Sequence, residues 1–273
     1  VRWNMLNRLI IGSANFGLEY GIANRKKLGR DEVFAILDLA RTMGVRGIDT
    51  AKEYGDAEKA IGEFFANRGK VFNVIVKLPN RAYLNADDVE DEIFGSMRDM
   101  RIGSIDTVLM HSSEVFKKYE KVIMPVLRSL SKDGVIGSYG VSVYHMEEVK
   151  CFLACCGEDR IAVEFPLNLF DRRFLRSSLL PALKSGGHFL FARSVFLQGL
   201  MFLNEERLNG KFEVIRDKIA GIKAISKEYG IGPECIALLF AASRDWIDGI
   251  IVGVDGKLHL TRNAECFSAE YTG

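Results

Sequence analysis

The chain has no surplus of charge of either sign. Its 37 Lys and Arg residues meet 36 Asp and Glu, leaving a formal net charge of +1 over 273 residues. Nucleic acid and anionic membrane surfaces ordinarily draw a basic footprint, so neither is expected as a partner. No apolar run approaches the roughly 18 residues of a membrane span. Val1-Arg2-Trp3-Asn4 lacks the apolar core of a signal peptide. Cysteines are few, five in all, and no pair has C-x-x-C spacing. A reduced, cytoplasmic setting is the expectation. Cys151 and Cys155 stand one helical turn apart, but no histidine or third thiol lies nearby at ligand spacing. Packing, and no metal, is expected there. Low-complexity linkers are also missing, so the chain reads as one domain over 1–273.

What is present is alternation. Apolar runs at 9–14, 45–48, 71–76, 105–110, 136–143, 161–165, 188–192 and 249–252 read as buried strands. Amphipathic stretches separate them, beginning with one capped by Asp31 and continuing at 57–66, 87–100, 119–131, 145–156 and 172–184. Two more helices are expected at 212–229 and 233–243, and a last one at 257–267. Eight such units in this length predict an α/β fold of (β/α)8 TIM-barrel type, with a closed parallel eight-stranded sheet inside outer helices.

In such folds the side chains at the C-terminal strand ends form the site. Three consecutive strands end in Asp49, Lys77 and His111, and Tyr54 follows Asp49 within Gly47-Ile48-Asp49-Thr50-Ala51-Lys52-Glu53-Tyr54-Gly55. Singly, each is ordinary. Together they suit hydride addition to a carbonyl, where charge builds on oxygen and a proton donor must stand within reach. Tyr54 can donate, Lys77 can lower its pKa, and Asp49 can keep a buried Lys77 charged. His111, as a neutral imidazole, can orient the carbonyl.

These residues resemble the aldo-keto reductase superfamily from about Leu9 to Asn263, with Gly47 to Ala51, Tyr54-Gly55 and Glu58 matching its first signature. The resemblance implies an Asp, Tyr, Lys, His tetrad of Asp49, Tyr54, Lys77 and His111. It implies hydride transfer with a nicotinamide cofactor extended across the barrel mouth, with no metal. Around the nicotinamide it implies roles for Ser142, for Glu164 where the family has glutamine, and for Arg193 where it often has a stacking tyrosine. Ser194, Gln198, Gly199 and Leu200 resemble the pyrophosphate loop, and Gly12, Ser13 and Gly253 complete the rim. At the adenine end Asp255, Lys257, His259 and Asn263 are the candidates. Asp255 would repel a 2′-phosphate but could bond a ribose hydroxyl. NADP(H) is expected by family habit, with NAD(H) as the alternative.

Phe16 and Tyr20 are expected to join Tyr54 and His111 around the substrate, a small carbonyl compound. The chain ends soon after Asn263, which suggests an open pocket suited to a polar, sugar-derived substrate. Two rivals stand beside the reductase: a redox-silent nucleotide-binding sensor or subunit on the same barrel, and a barrel lyase or isomerase using Lys77 as a Schiff-base amine.

Overall fold

The computed structural model describes residues 5–268. The domain expected over 1–273 extends past them at both ends, and Val1-Arg2-Trp3-Asn4 lies outside them. Eight strands, β1 (Leu9–Gly12), β2 (Gly47–Ala51), β3 (Asn73–Leu78), β4 (Ile105–Met110), β5 (Ile136–Ser142), β6 (Ile161–Pro166), β7 (Phe189–Arg193) and β8 (Gly249–Gly253), close into a barrel in chain order. Every pairing is parallel, and β8 returns to β1 with Ile11 opposite Val252. This is the expected (β/α)8 barrel. The strands are almost wholly buried because helices cover their outer faces.

A single helical turn, α1 (Ala14–Gly17), follows β1, and the larger helices are α2 (Arg30–Met43), α3 (Ala57–Arg68), α4 (Ala86–Met100), α5 (Ser113–Lys132) and α6 (Met146–Cys156). After them come α7 (Leu179–Ser185), α8 (Arg216–Tyr229), α9 (Pro233–Ala242) and α10 (Lys257–Ser268). The helix expected at 172–184 is in fact a 3-10 turn, Arg173–Arg176, and the short α7, with extended Ser177 between them. Ser177 Oγ accepts from Leu179 N, so a local side-chain bond competes with helix continuation there. Among the described residues no helix is long and apolar enough to cross a membrane.

The barrel interior is filled by Ile10, Ile75, Leu109, Ala162, Phe191 and Ile251. Gly249 makes room for two of them: a Cβ there would sit 2.2 Å from Ile10 Cδ1 and 2.9 Å from Phe191 Cδ1. Around the barrel, the turn that carries Tyr54 is pinned from two sides. Gly17 packs against it so closely that a Cβ would fall 1.8 Å from the Tyr54 carbonyl oxygen. Buried Glu58, at the start of α3, accepts from Lys52 Nζ at 3.2 Å and from Ser96 Oγ of α4 at 2.8 Å.

The cysteines depart from expectation. Cys235 of α9 and Cys266 of α10 form a disulfide, their Cα atoms 4.9 Å apart. Their sequence separation of 31 hid a pairing that helix packing creates. Cys151, Cys155 and Cys156 are free. No metal-holding cluster occurs among the described residues.

Candidate active site

Period two carries the barrel core straight into the site. Residues i and i+2 of a strand face the same side. Two positions past Ile75 is Lys77, past Leu109 is His111, past Ala162 is Glu164, and past Phe191 is Arg193. Four of the six interior residues are thus followed, one layer up, by a polar group at the C-terminal mouth, while Ile10 and Ile251 are followed by Gly12 and Gly253. Register sets the neighbours: Lys77 stands opposite Ala51, Glu164 opposite Ser142, and Gly12 opposite Asp49.

Four charges meet in that layer. Buried Lys77 donates from Nζ to Asp49 Oδ1 in a very short contact, and Glu164 Oε2 lies 3.3 Å from the same nitrogen. On its other side Glu164 Oε1 is 3.2 Å from Arg193 Nε and accepts from Ser142 Oγ at 2.9 Å. Arg193 also donates to the Val143 carbonyl at 3.2 Å, and its guanidinium lies 4.3 Å from the Tyr144 ring centroid. Two carboxylates and two cations leave the cluster neutral, the condition under which buried charge is tolerated. Burial alone would lower the Lys77 pKa, but Asp49 and then Glu164 reverse this and hold it above its ordinary value. Burial raises the Asp49 carboxyl, against the pull of Lys77.

The Tyr54 ring centroid lies 5.6 Å from Lys77 Nζ and 6.2 Å from the His111 ring, which meets it edge-on. Burial raises the Tyr54 phenol above its ordinary value. Lys77 pulls it down, as the sequence suggested, but burial with Asp49 and Glu164 outweighs that pull. His111 is pushed below its ordinary value, first by burial and then by Lys77, while Glu53 opposes both.

One cavity of about 670 Å³ takes in the whole tetrad and reaches across the mouth to α10. That volume is ample for a cofactor-sized ligand. Gly12, Ser13, Tyr20, Ser142, Glu164 and Arg193 line its inner half. Ser194, Gln198 and Gly199 border it from the loop after β7, all with left-handed backbone. Gly253, Asp255, His259 and Asn263 line the far end. Three candidates fall outside the lining. Phe16 turns with α1 into the main core, Leu200 packs with Leu203, Leu208 and Ile219, and Lys257 lies on the exposed start of α10.

Several further wall residues have no motif that marks them in the sequence. Asn15 donates to the Val254 carbonyl at 2.8 Å and to Asp255 Oδ1 at 3.1 Å. Asn24 donates to Asp255 Oδ2 at 3.4 Å, and Arg262 adds a cation at the same end. Arg262 directly precedes Asn263, and that adjacency was the available signal. One buried oxygen of the lining, Ser13 Oγ, has no hydrogen-bond partner among the described residues, and Glu164 Oε2 has only its ion pair with Lys77. A buried polar atom without a partner is costly, so Ser13 Oγ suits contact with a ligand's amide or hydroxyl. The lining, with hydroxyls, a carboxylate and a guanidinium at one end and amides with the Arg262 cation at the other, fits a nicotinamide dinucleotide.

A closed parallel barrel with an Asp, Tyr, Lys, His cluster at its C-terminal mouth defines a class of oxidoreductase. The family model described as the aldo/keto reductase family matches residues 8–272, and the chain belongs to that family. Members act on small-molecule carbonyl compounds and generally use nicotinamide cofactors. Among curated relatives, a D-threo-aldose 1-dehydrogenase from a Pseudomonas species is 24% identical over 95% of this chain and 91% of its own. A probable voltage-gated potassium channel subunit beta from Oryza sativa subsp. japonica is 22% identical over 90% of this chain and 85% of its own. Among solved structures, a glycerol dehydrogenase from Gluconobacter oxydans superposes with a TM-score of 0.77 at 18% identity, covering 97% of this chain and 88% of that one.

Proposed function

We propose that the chain is an NAD(P)H-dependent reductase of an aldehyde or ketone, with Tyr54 as general acid. The observation that carries this reading is Lys77. Its ammonium is held by Asp49 and Glu164 while lying near the Tyr54 ring, which the His111 ring meets edge-on. When bound, a reduced nicotinamide supplies the hydride. The protein's part is to receive the charge that then develops on the carbonyl oxygen. Tyr54 gives its phenolic proton to that oxygen. Lys77 stabilises the phenolate left behind, Asp49 holds Lys77, and His111 orients the carbonyl.

Ser13, Ser142, Glu164 and Arg193 are the residues that would hold the nicotinamide end. Ser194, Gln198 and Gly199 would face the pyrophosphate, and Asp255, His259, Arg262 and Asn263 the adenosine. NADP(H) is the favoured cofactor, since Arg262 and His259 offer cationic or donor groups to a 2′-phosphate, while Asp255 keeps NAD(H) in contention. A sugar-derived substrate is supported by the polar lining and by the aldose named for the Pseudomonas relative. The likeness to a potassium channel subunit supports a second reading, a nucleotide-binding subunit with little turnover.

Replacing Tyr54 by Phe tests the reading. Reduction should fall to background while NADPH binding, followed by nicotinamide fluorescence, stays as in the parent. Undiminished turnover in that variant would overturn the mechanism. If the parent binds cofactor but turns over no carbonyl compound, the second reading takes its place.

A further inference from the structure

The residue before Tyr54 has no place in the tetrad, yet it makes the tightest contact His111 has. Glu53 Oε2 lies 2.6 Å from His111 Nδ1. Its carboxylate is itself anchored, with Oε1 accepting from Asn80 N at 3.2 Å. The turn that presents Glu53 is closed by Tyr54 N donating to the Ala51 carbonyl at 2.9 Å. Glu53 and Tyr54 therefore leave one turn and grip His111 from two sides.

A carboxylate can only accept a hydrogen bond. Nδ1 must then carry a proton whenever this bond is made. A neutral imidazole has a single N–H, so the other nitrogen, Nε2, is left with a lone pair. We propose that Glu53 is a positioning residue that fixes the neutral His111 ring in its Nδ1–H form, so that Nε2 accepts from a substrate hydroxyl at neutral pH and donates to a carbonyl oxygen only when the ring is doubly protonated. The inference rests on the reductase reading for its substrate, and it refines the role given there to His111. It also names the class that the resting site recognises: a hydroxyl-bearing compound such as a polyol or cyclic sugar, held through its O–H.

The charged groups bearing on the ring are Lys77 of β3, Glu164 of β6 and Glu53 itself, while Tyr54 faces its edge. Burial and Lys77 favour the neutral ring. The Nδ1–H form is thus the one present at neutral pH.

Long-range proton–nitrogen correlation spectra of the four histidines, with His111 assigned from a His111→Gln sample, read the tautomer directly. The parent should show neutral His111 protonated at Nδ1. In Glu53→Gln the amide can donate to Nδ1, and the proton should move to Nε2. Kinetics give the second readout. In the parent, kcat/KM for carbonyl reduction should fall about tenfold per pH unit above the His111 pKa. In Glu53→Gln it should stay level across that interval, with cofactor affinity unchanged. An Nε2–H ring in the parent would overturn the proposal, and so would superimposable pH profiles. An Nδ1–H ring in a protein that reduces no carbonyl compound would support Glu53's role and overturn the reductase reading, so the two fail separately.

Discussion

Half-buried Arg193 and buried Glu164 form an ion pair, Nε to Oε1 at 3.2 Å, on adjacent strands at the barrel mouth. Each departs from the pattern the family resemblance implied, and each makes sense of the other. A guanidinium in place of an aromatic ring brings a charge into a poorly solvated layer. A carboxylate in place of an amide neutralises it. The same carboxylate reaches Lys77, so the pair is tied electrically to the tetrad.

Glu164→Gln should therefore lower the Tyr54 pKa, because Glu164 is one of the groups that push it up. Phenolate absorbance of Tyr54, read as the difference from a matched Tyr54→Phe sample, should therefore appear at lower pH than in the parent. Stability should also fall, by less than the about 3–5 kcal/mol of a fully buried pair, because Lys77 keeps Asp49 and Arg193 keeps the Val143 carbonyl. Urea denaturation checks the second effect independently of activity. An unmoved phenol titration would disconnect Glu164 from Tyr54.

Lys77→Met leaves Asp49 without its cation, beside a Glu164 still paired with Arg193. Reduction should drop by at least about a hundredfold. The variant's stability should also decline as pH rises. A buried carboxyl with a raised pKa binds a proton more tightly in the folded than in the unfolded state, so unfolding becomes easier as that proton is lost. Melting temperatures at pH 5 and pH 8 should show the variant further below the parent at pH 8.

The parent itself should lose stability on mild acidification. His111 and His188 both sit below their ordinary value, chiefly through burial. His188 Nδ1 also accepts from Ile161 N at 3.2 Å, which requires that nitrogen to be unprotonated. The unfolded chain takes up these protons first, near pH 6.5. The contribution is thus complete above that pH and lost as pH falls through the lower folded-state values. His188→Gln should flatten the slope of melting temperature between pH 7 and 5.

At the adenosine end, Arg262→Ala should weaken NADPH about tenfold more than NADH, since only the former carries the 2′-phosphate. Asp255→Asn should shift preference the other way, improving NADPH relative to NADH by about fivefold. Equal effects on both cofactors would place the 2′-phosphate elsewhere.

Reducing the Cys235–Cys266 bond should cost about 3–4 kcal/mol, the chain-entropy value for a loop of this length. The test is the melting temperature with and without dithiothreitol, alongside a Cys235→Ser variant that should respond to neither condition.

The barrel was legible because its strands are apolar runs, and the polar cluster at the mouth because three consecutive runs lead into Asp49, Lys77 and His111. What was hidden depends on contacts between distant positions. Glu53 and His111 are 58 residues apart, and nothing in either run announces their bond. The disulfide needed the packing of α9 on α10. Phe16 follows β1, which suggested the pocket, but one helical turn rotates it inward. Arg262 reaches the cavity only through the placement of α10, and the carboxylate of Asp255 at that end is engaged by two asparagine amides.

The apolar plug below the charged layer has an electrical consequence. Ile10, Ile75, Leu109, Ala162, Phe191 and Ile251 make the barrel a well with a dry floor. Water can approach Lys77 and its partners only from the mouth. Low-polarisability walls and floor deflect field lines toward the solvent side, so the potential of the cluster is directed one way, onto whatever lies across the opening. A polar substitution in the plug, such as Leu109→Asn, would touch no ligand and yet let that field leak backward.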